Sequence, residues 1–270
     1  MQRRLSAIAA GVGVDAARAA TDTSVSTSVS AEQAVAAAKA AVLGNLVGDA
    51  AAVTSHWVYD QNTLAAHVAK LGGADNAPFM DPINPFYHVR PGQLSCYGDQ
   101  TWALIQAMVG EDAGGVDVDS FHSNLTALMG GDSDYGPIGR VIAKEEQPIQ
   151  GPWRHGSMKG YFANQADASA PLDDKQIDGA CKMPPVVLQG GGDTAKMLAL
   201  AEETIRITQD TDEAVAMGLA FARILESLVF GRAATPLDAV EQCIDVMRDE
   251  ERDQPNPLDD ELSDHLVRRP

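Results

Sequence analysis

An all-α fold is what this sequence predicts, on three observations. Alanine, the strongest helix former, is frequent and gathers in runs such as AVAAAKAAVLGNL and AVAMGLAFARIL. No stretch alternates apolar and polar residues at period two over more than a few positions, as a half-buried strand would. No segment repeats at a fixed period and no heptad is sustained, so the helices are expected to pack as one multi-helix domain rather than a coiled coil.

The elements follow in chain order. Residues 1–29 stand apart: two early arginines, then small residues, then a Ser/Thr/Val tract. Targeting peptides are Arg- and Ser-rich and poor in acids, whereas Asp15 and Asp22 suit a poorly ordered tail, so both readings stand. The domain is expected over 30–270. Ser30 with Gln33 three positions on forms a capping-box pattern, opening a helix expected to reach about Trp57. QNTLAAHVAKLG makes a second helix, stopped by Gly72. The next stretch, ADNAPFMDPINPFYHVRPGQLSCYG, is a long irregular loop, and such loops are functional or disordered. Phe79, Phe86 and Tyr87 favour an ordered, packed one. Helical patterns then recur at 99–109, 117–129, 137–145, 174–182, 193–208, 211–230, 235–251 and 259–268. A second irregular region spans 146–173.

Composition narrows the function. Hydrophobic residues make up 45% of the 270, enough for a sizeable core, but aromatics are only 5%, so alanine, valine and leucine must fill it. The net charge of −18 argues against a general nucleic-acid binder or docking on anionic lipid, since both need a basic face. A few local groups could still hold a phosphate-bearing small molecule. Cys96, Cys181 and Cys243 are odd in number and far apart, which fits reduced thiols in an intracellular, soluble protein. No apolar run approaches the roughly 20 residues of a membrane span.

Nucleophile elbows, P-loops and dinucleotide fingerprints are absent from the sequence. GGGD at 190–193 reads as a glycine turn before a helix capped by Asp193. Oxygen ligands for a hard cation could come from Asp49, Asp60, Asp99, Asp132, Asp134, Asp173 and Asp174. A catalytic magnesium takes one or two carboxylates plus substrate oxygens. GGDSDYG at 130–136 resembles part of a calcium loop but lacks its spaced Glu. Asp173 and Asp174 also suit a plain helix start, where acids complement the dipole. Asp99, near the start of a helical pattern, can serve as a cap. His67 and His122 fall within helical patterns and read as structural or exposed. His155 lies in GPWRHGSMKG with Trp153, Arg154 and Lys159, either an anion or sugar contact or a loop pinned by Trp153.

Several segments together resemble one family, over roughly residues 35–268. GNLVGDAAAVTSHWVYD is similar to the N-terminal helix of ADP-ribosylglycohydrolase-like proteins. It is closest in pattern to their J1-crystallin branch, whose His-Trp-x-Tyr-Asp signature falls on His56, Trp57, Tyr59 and Asp60. PGQLSCYGDQTWAL, GPWRHGSMKGYFAN and EETIRITQDTDEAVAMGLAFARILE resemble that branch too, with Gln209 where many members carry His. The resemblance implies an all-α orthogonal bundle. It also implies two magnesium ions, held by Thr-Asp-Asp-Thr and a C-terminal Asp-x-Asp-Thr, that orient the ribose hydroxyls of ADP-ribose. An acidic side chain then activates water to cut the glycosidic bond.

The chain departs from that pattern at the first motif. Tyr97 stands for Thr, Gly98 for the first Asp and Gln100 for the last Thr, while Asp99 keeps the second Asp. The second motif has no counterpart before Pro270. Asp99 is thus the expected catalytic acid and sole retained magnesium ligand, with magnesium held weakly or not at all. Asp49, His56, Tyr97, Gln100, His155, Lys159 and Asn164 are the expected substrate contacts. Three functions follow: a ribosyl hydrolase, a non-catalytic structural protein or subunit with a protein partner where further helices would pack, or an ADP-ribose-like ligand binder.

Overall fold

The computed structural model describes residues 29–109, 115–252 and 255–267. The tail of 1–28 lies outside them. Ten α-helices occur among the described residues: α1 Ala31–Ala52, α2 Gln61–Lys70, α3 Cys96–Ala107, α4 Val118–Met129, α5 Gly156–Ala166, α6 Met183–Gly190, α7 Thr194–Arg206, α8 Asp212–Val229, α9 Pro236–Met247 and α10 Asp259–Val267. The only described strands, β1 Tyr87–His88 and β2 Ile149–Gln150, form a two-residue parallel pair, Tyr87 opposite Ile149, that ties the two irregular regions together. The fold is all-α.

Local chemistry explains the helix starts. The Ser30 hydroxyl accepts from Gln33 N–H at 3.2 Å and the Gln33 side chain accepts from Ser30 N–H at 2.8 Å, the expected capping box. The side chains of Asp60, Asp117, Asp193, Thr211 and Thr235 accept a first-turn backbone N–H of α2, α4, α7, α8 and α9, and at Thr235 a second capping box closes with Asp238. The third helix begins earlier than its pattern suggests. Ser95, not Asp99, is its N-cap, with the Ser95 hydroxyl accepting from Tyr97 N–H at 3.1 Å. That frees the Asp99 side chain for other contacts.

Packing centres on α6, whose eight residues are all buried. It lies against α1, α7 and α8, while α3 packs on α4 and α8 on both α7 and α9. The α1 stripe Ala34, Ala38, Val42, Leu46 and Ala50 recurs every four residues and faces this core. By length and apolar content α1 with the turn after it reaches the measure of a membrane-crossing helix, which the composition did not suggest. Its polar side chains are nevertheless used within the domain. The Asn45 amide donates to the Cys181 carbonyl at 3.1 Å, and Asp49 is held by Ser95.

Three predicted helices are corrected. α1 ends at Ala52 and tightens into a 3₁₀ turn, Val53–Ser55, short of Trp57. The 137–145 pattern yields only a 3₁₀ turn at Lys144–Glu146. Pro137 and left-handed Gly139 break it, and the carbonyl of Pro137 turns to bind Arg154. The 174–182 pattern is a 3₁₀ segment, Ile177–Lys182. It leads directly into α6, which no sequence pattern had suggested, and the glycine turn expected at 190–193 follows α6 and ends at the Asp193 cap of α7. Pro184 and Pro185 sit in the first turn of α6, where missing N–H groups cost nothing.

The first irregular loop is ordered, as its aromatics suggested. Tyr87 packs with Val53 and Val89 in a small second core, joined by Trp57, Phe86, Ile149 and Trp153. Phe79 is the exception, exposed and with φ +60°.

Candidate functional site

The end of α1, the start of α3 and the start of α5 converge beside this aromatic core. Asp49, in the last turn of α1, is bound at both oxygens by Ser95. The Ser95 hydroxyl donates to Oδ1 at 2.5 Å and its N–H to Oδ2 at 2.7 Å. Burial pushes the Asp49 carboxyl above its ordinary range, against the pull of the Ser95 bonds and of His56. Oδ2 presses on Gly98 so closely that a Cβ there would overlap it. Gly98 and the seating of Asp49 are therefore one feature: no side chain at position 98 fits while Asp49 lies where it does.

Asp99 lies one step further along α3. Its Oδ2 accepts from the Tyr135 hydroxyl at 2.7 Å. Burial, reinforced by the charge of Asp49, pushes its carboxyl up to about 6 despite that bond. Two neighbouring carboxyls, both shifted upward, sit in one partly buried site, a pattern associated with acid–base sites.

The aromatic wall is built on a strained residue. Trp57 adopts φ +59°, a left-handed conformation disfavoured for bulky side chains and typical of positions over-determined by their surroundings. Its ring lies 5.2 Å from Phe86, 5.5 Å from Tyr87 and 4.8 Å from His155. His155 meets Tyr97 edge-on at 3.9 Å, and His56 stands 5.9 Å from Tyr97. His155 is 4% exposed, and burial, with repulsion from His56 and Lys159, pushes it down to about 3, so it is neutral. Its backbone N–H reaches Cys96 Sγ at 3.5 Å, yet neither ring nitrogen has a partner. Gln100, fully buried one turn beyond Tyr97, likewise has no partner at either side-chain atom.

Of the other candidates Lys159 stays at the edge of the cluster, near enough to repel His155, and the rest fall elsewhere. Lys159 is exposed, with Nζ 4.8 Å above the Trp153 ring. The Asn164 amide donates to the Ala170 carbonyl at 2.7 Å, tying down the loop after α5. Tyr59 is 82% exposed and Asp60 caps α2. Asp174 accepts from Gln209 Nε2 at 3.1 Å and abuts Gly156 at the start of α5.

Arg154 is not an anion contact. It is buried, and its guanidinium donates to the carbonyls of Met129, Gly130, Tyr135, Gly136 and Pro137. The loop that resembled a calcium site is thus wound around the protein's own cation, while Asp132 and Asp134 point outward.

Sequence reasoning missed Asp178, Tyr135 and Ser95. Asp178 is buried, accepts from the Ser157 hydroxyl at 2.6 Å, and is raised above its ordinary range by burial. The signal for it was an acid, with Lys182 four positions on, in the otherwise uncharged run IDGACKMPPVV. Tyr135 and Ser95 carried no signal, because each matters only through a carboxylate distant in sequence.

The donors do not fit a two-magnesium clamp, which needs carboxylates bridging ions about 3.5–4 Å apart. Both Asp49 oxygens are occupied by Ser95, Asp99 holds Tyr135, and Gly98 excludes a further acid. Among the described residues no group of three or more His, Cys, Asp or Glu side chains is placed to hold a metal ion.

A family model described as ADP-ribosylglycohydrolase matches residues 30–269. The chain is 26% identical to crystallin J1A of Tripedalia cystophora over 201 residues, 73% of this chain and 60% of that protein. It is also 26% identical to crystallin J1B of the same organism over 200 residues, with the same two shares. The chain therefore spans about 60% of the length of these curated relatives. No solved structure matches it.

Proposed function

The chain belongs to the ADP-ribosylglycohydrolase family, and from that premise we propose that it binds an ADP-ribose-like ligand at the Asp49–Asp99–His155 cluster and turns it over slowly. The observation that carries this is the pair of buried, unpartnered polar side chains, Gln100 and His155. Each buried polar group left unpaired costs about 1–3 kcal/mol. A neutral imidazole offers one donor and one acceptor, and an amide offers two donors and an acceptor. A vicinal diol such as ribose presents the complementary set. The rings of Tyr97, Trp57 and His155 supply a face against which a sugar or base can lie.

Slow turnover follows from the donor set. Without a paired metal clamp, water activation falls to a carboxylate. The test is calorimetric titration of the chain with ADP-ribose, with and without magnesium, alongside an assay for ADP-ribose released from an ADP-ribosylated peptide. Saturable binding, independent of magnesium and weakened at least tenfold by Gln100→Leu, is expected. Absence of binding would sink the proposal.

A second reading, an active hydrolase, is favoured by one observation: the Asp99 carboxyl is pushed up to about 6. Such a group is partly protonated near neutrality and suits proton transfer. Robust turnover abolished by Asp99→Ala would establish this reading in place of the first.

A further inference from the structure

A second concavity lies away from that cluster, between α7, α8, α9 and the segment leading into α10. Its volume is about 710 Å³, and a neighbouring hollow of about 400 Å³ adjoins it. Thr194, Arg223 and Val246 line both, so the two meet at Arg223. Leu198, Val215 and Leu219 give the larger hollow an apolar side, and Arg252 gives it a second cation.

Charge at this junction is uneven. The acids facing the larger hollow are already engaged: Glu202 and Asp212 with Arg206, and Asp259 with Arg252. Glu226, beside Arg223, holds Arg232 Nη1 and the Thr194 hydroxyl through Oε2, each at 2.8 Å, while its Oε1 is buried without a partner. Among the described residues no hydrogen bond or ion pair satisfies the Arg223 guanidinium, though burial and the charge of Glu226 act on it. The Nε of Arg252 is buried without a partner, and Arg223 and Arg252 are near enough to repel. A half-buried, unpaired guanidinium destabilises the fold that carries it. In a chain of net charge −18, leaving two arginines underused on one cavity wall is notable.

We propose that this junction binds a small organic oxyanion, a phosphate or carboxylate head on an apolar body. The head would sit on Arg223 and Arg252, whose guanidinium forks match such groups. The body would lie along Leu198, Val215 and Leu219. The site shares no residue with the Asp99 cluster and does not depend on the ribosyl proposal.

The test uses the full chain in phosphate-free buffer, titrated calorimetrically with hexyl phosphate, hexanoate, inorganic phosphate and hexanol. Saturable binding of one hexyl phosphate or hexanoate per chain is expected, at least tenfold tighter than inorganic phosphate and hexanol, and the two amphiphiles identify the preferred head. Arg223→Gln should weaken that binding at least tenfold. Because it removes an unpaired charge, it should also raise the Tm of the ligand-free chain or leave it unchanged. Arg252→Lys, which keeps a cation for Asp259, should weaken binding severalfold. Three results would overturn the site: no saturable binding of either amphiphile, equal binding by Arg223→Gln, or hexanol binding as tightly as hexyl phosphate. A fall of several degrees in the Tm of Arg223→Gln would show a structural ion pair instead and would also overturn it.

Discussion

At the residue scale, Asp49, Gly98 and Asp99 behave as one coupled unit. The Asp99 carboxyl sits at about 6 in the folded chain, above its ordinary 3.8, because burial and the neighbouring Asp49 disfavour its charge. The folded state then holds a proton that the unfolded state releases. The contribution to stability is full below pH about 3.8 and is lost as pH rises through about 6. Asp99→Asn keeps an acceptor for the Tyr135 hydroxyl and removes the titration. We expect its stability, from urea denaturation, to exceed that of the parent at pH 8 by up to about 3 kcal/mol, and the two to converge at pH 4. A parent that gains stability between pH 4 and 7 relative to the variant would contradict this assignment. Gly98→Ala tests the other half of the unit. Its Cβ would lie 2.9 Å from both Asp49 Cγ and Leu94 Cδ2. Although alanine gains nearly 1 kcal/mol in helix propensity, overpacking against a held carboxylate typically costs about 1–3 kcal/mol. A net loss is expected in chemical denaturation, and a net gain would mean that Asp49 is free to move.

At the element scale, α6 shows how far a short helix can depend on its neighbours. Eight residues would not hold a helix alone in water. Here Met183, Val186 and Val187 are almost completely buried among α1, α7 and α8. The approach to α7 is so close that a Cβ on Gly190 would lie 2.5 Å from Met197 Cβ and 3.2 Å from its Cα. Gly190→Ala therefore meets backbone-anchored atoms rather than a flexible tip. A loss of about 1–3 kcal/mol, with Tm lowered by several degrees in a thermal melt, is expected. Wild-type stability would show that α6 and α7 can slide apart without penalty. Ile205 of α7 performs the same service between Gly179 and Gly218, which brings the 3₁₀ segment of Asp178 against α8.

At the scale of the whole molecule, two of the three free cysteines, Cys96 and Cys243, lie in the interior, while Cys181 is partly exposed. Cys96 and Cys243 are 1% and 2% exposed, and burial pushes Cys243 up to about 11 and Cys96 upward as well. A thiolate must form before a thiol can react. Under native conditions at pH 8, a disulfide reagent should label Cys96 and Cys243 only at the rate at which the fold opens, and all three cysteines promptly in denaturant. Labelling of Cys96 within seconds in the native state would show that the wall between α3 and α5 is not closed.

The alanine runs, the Ser30–Gln33 box and the capping residues were legible in the sequence because they depend on neighbours three or four positions away. The helical class, most helix starts and the position of the candidate site at Asp99 rest on such local patterns and on motif resemblance. α6 was not legible, since its two prolines and glycine end argue locally for a turn and only burial on all sides makes it a helix. Nor was the state of the site. Nothing near Asp49 in the chain indicates that Ser95, 46 residues on, occupies both its oxygens. Nothing near Gly98 indicates that a carboxylate from another helix fills its missing side chain. GPWRH could be an anion contact or a structural pin until the carbonyls of 129–137 were seen to close around Arg154. Which polar groups are satisfied, and which are left buried without a partner, depends on atoms brought together from separate helices, and local sequence holds no record of those distances.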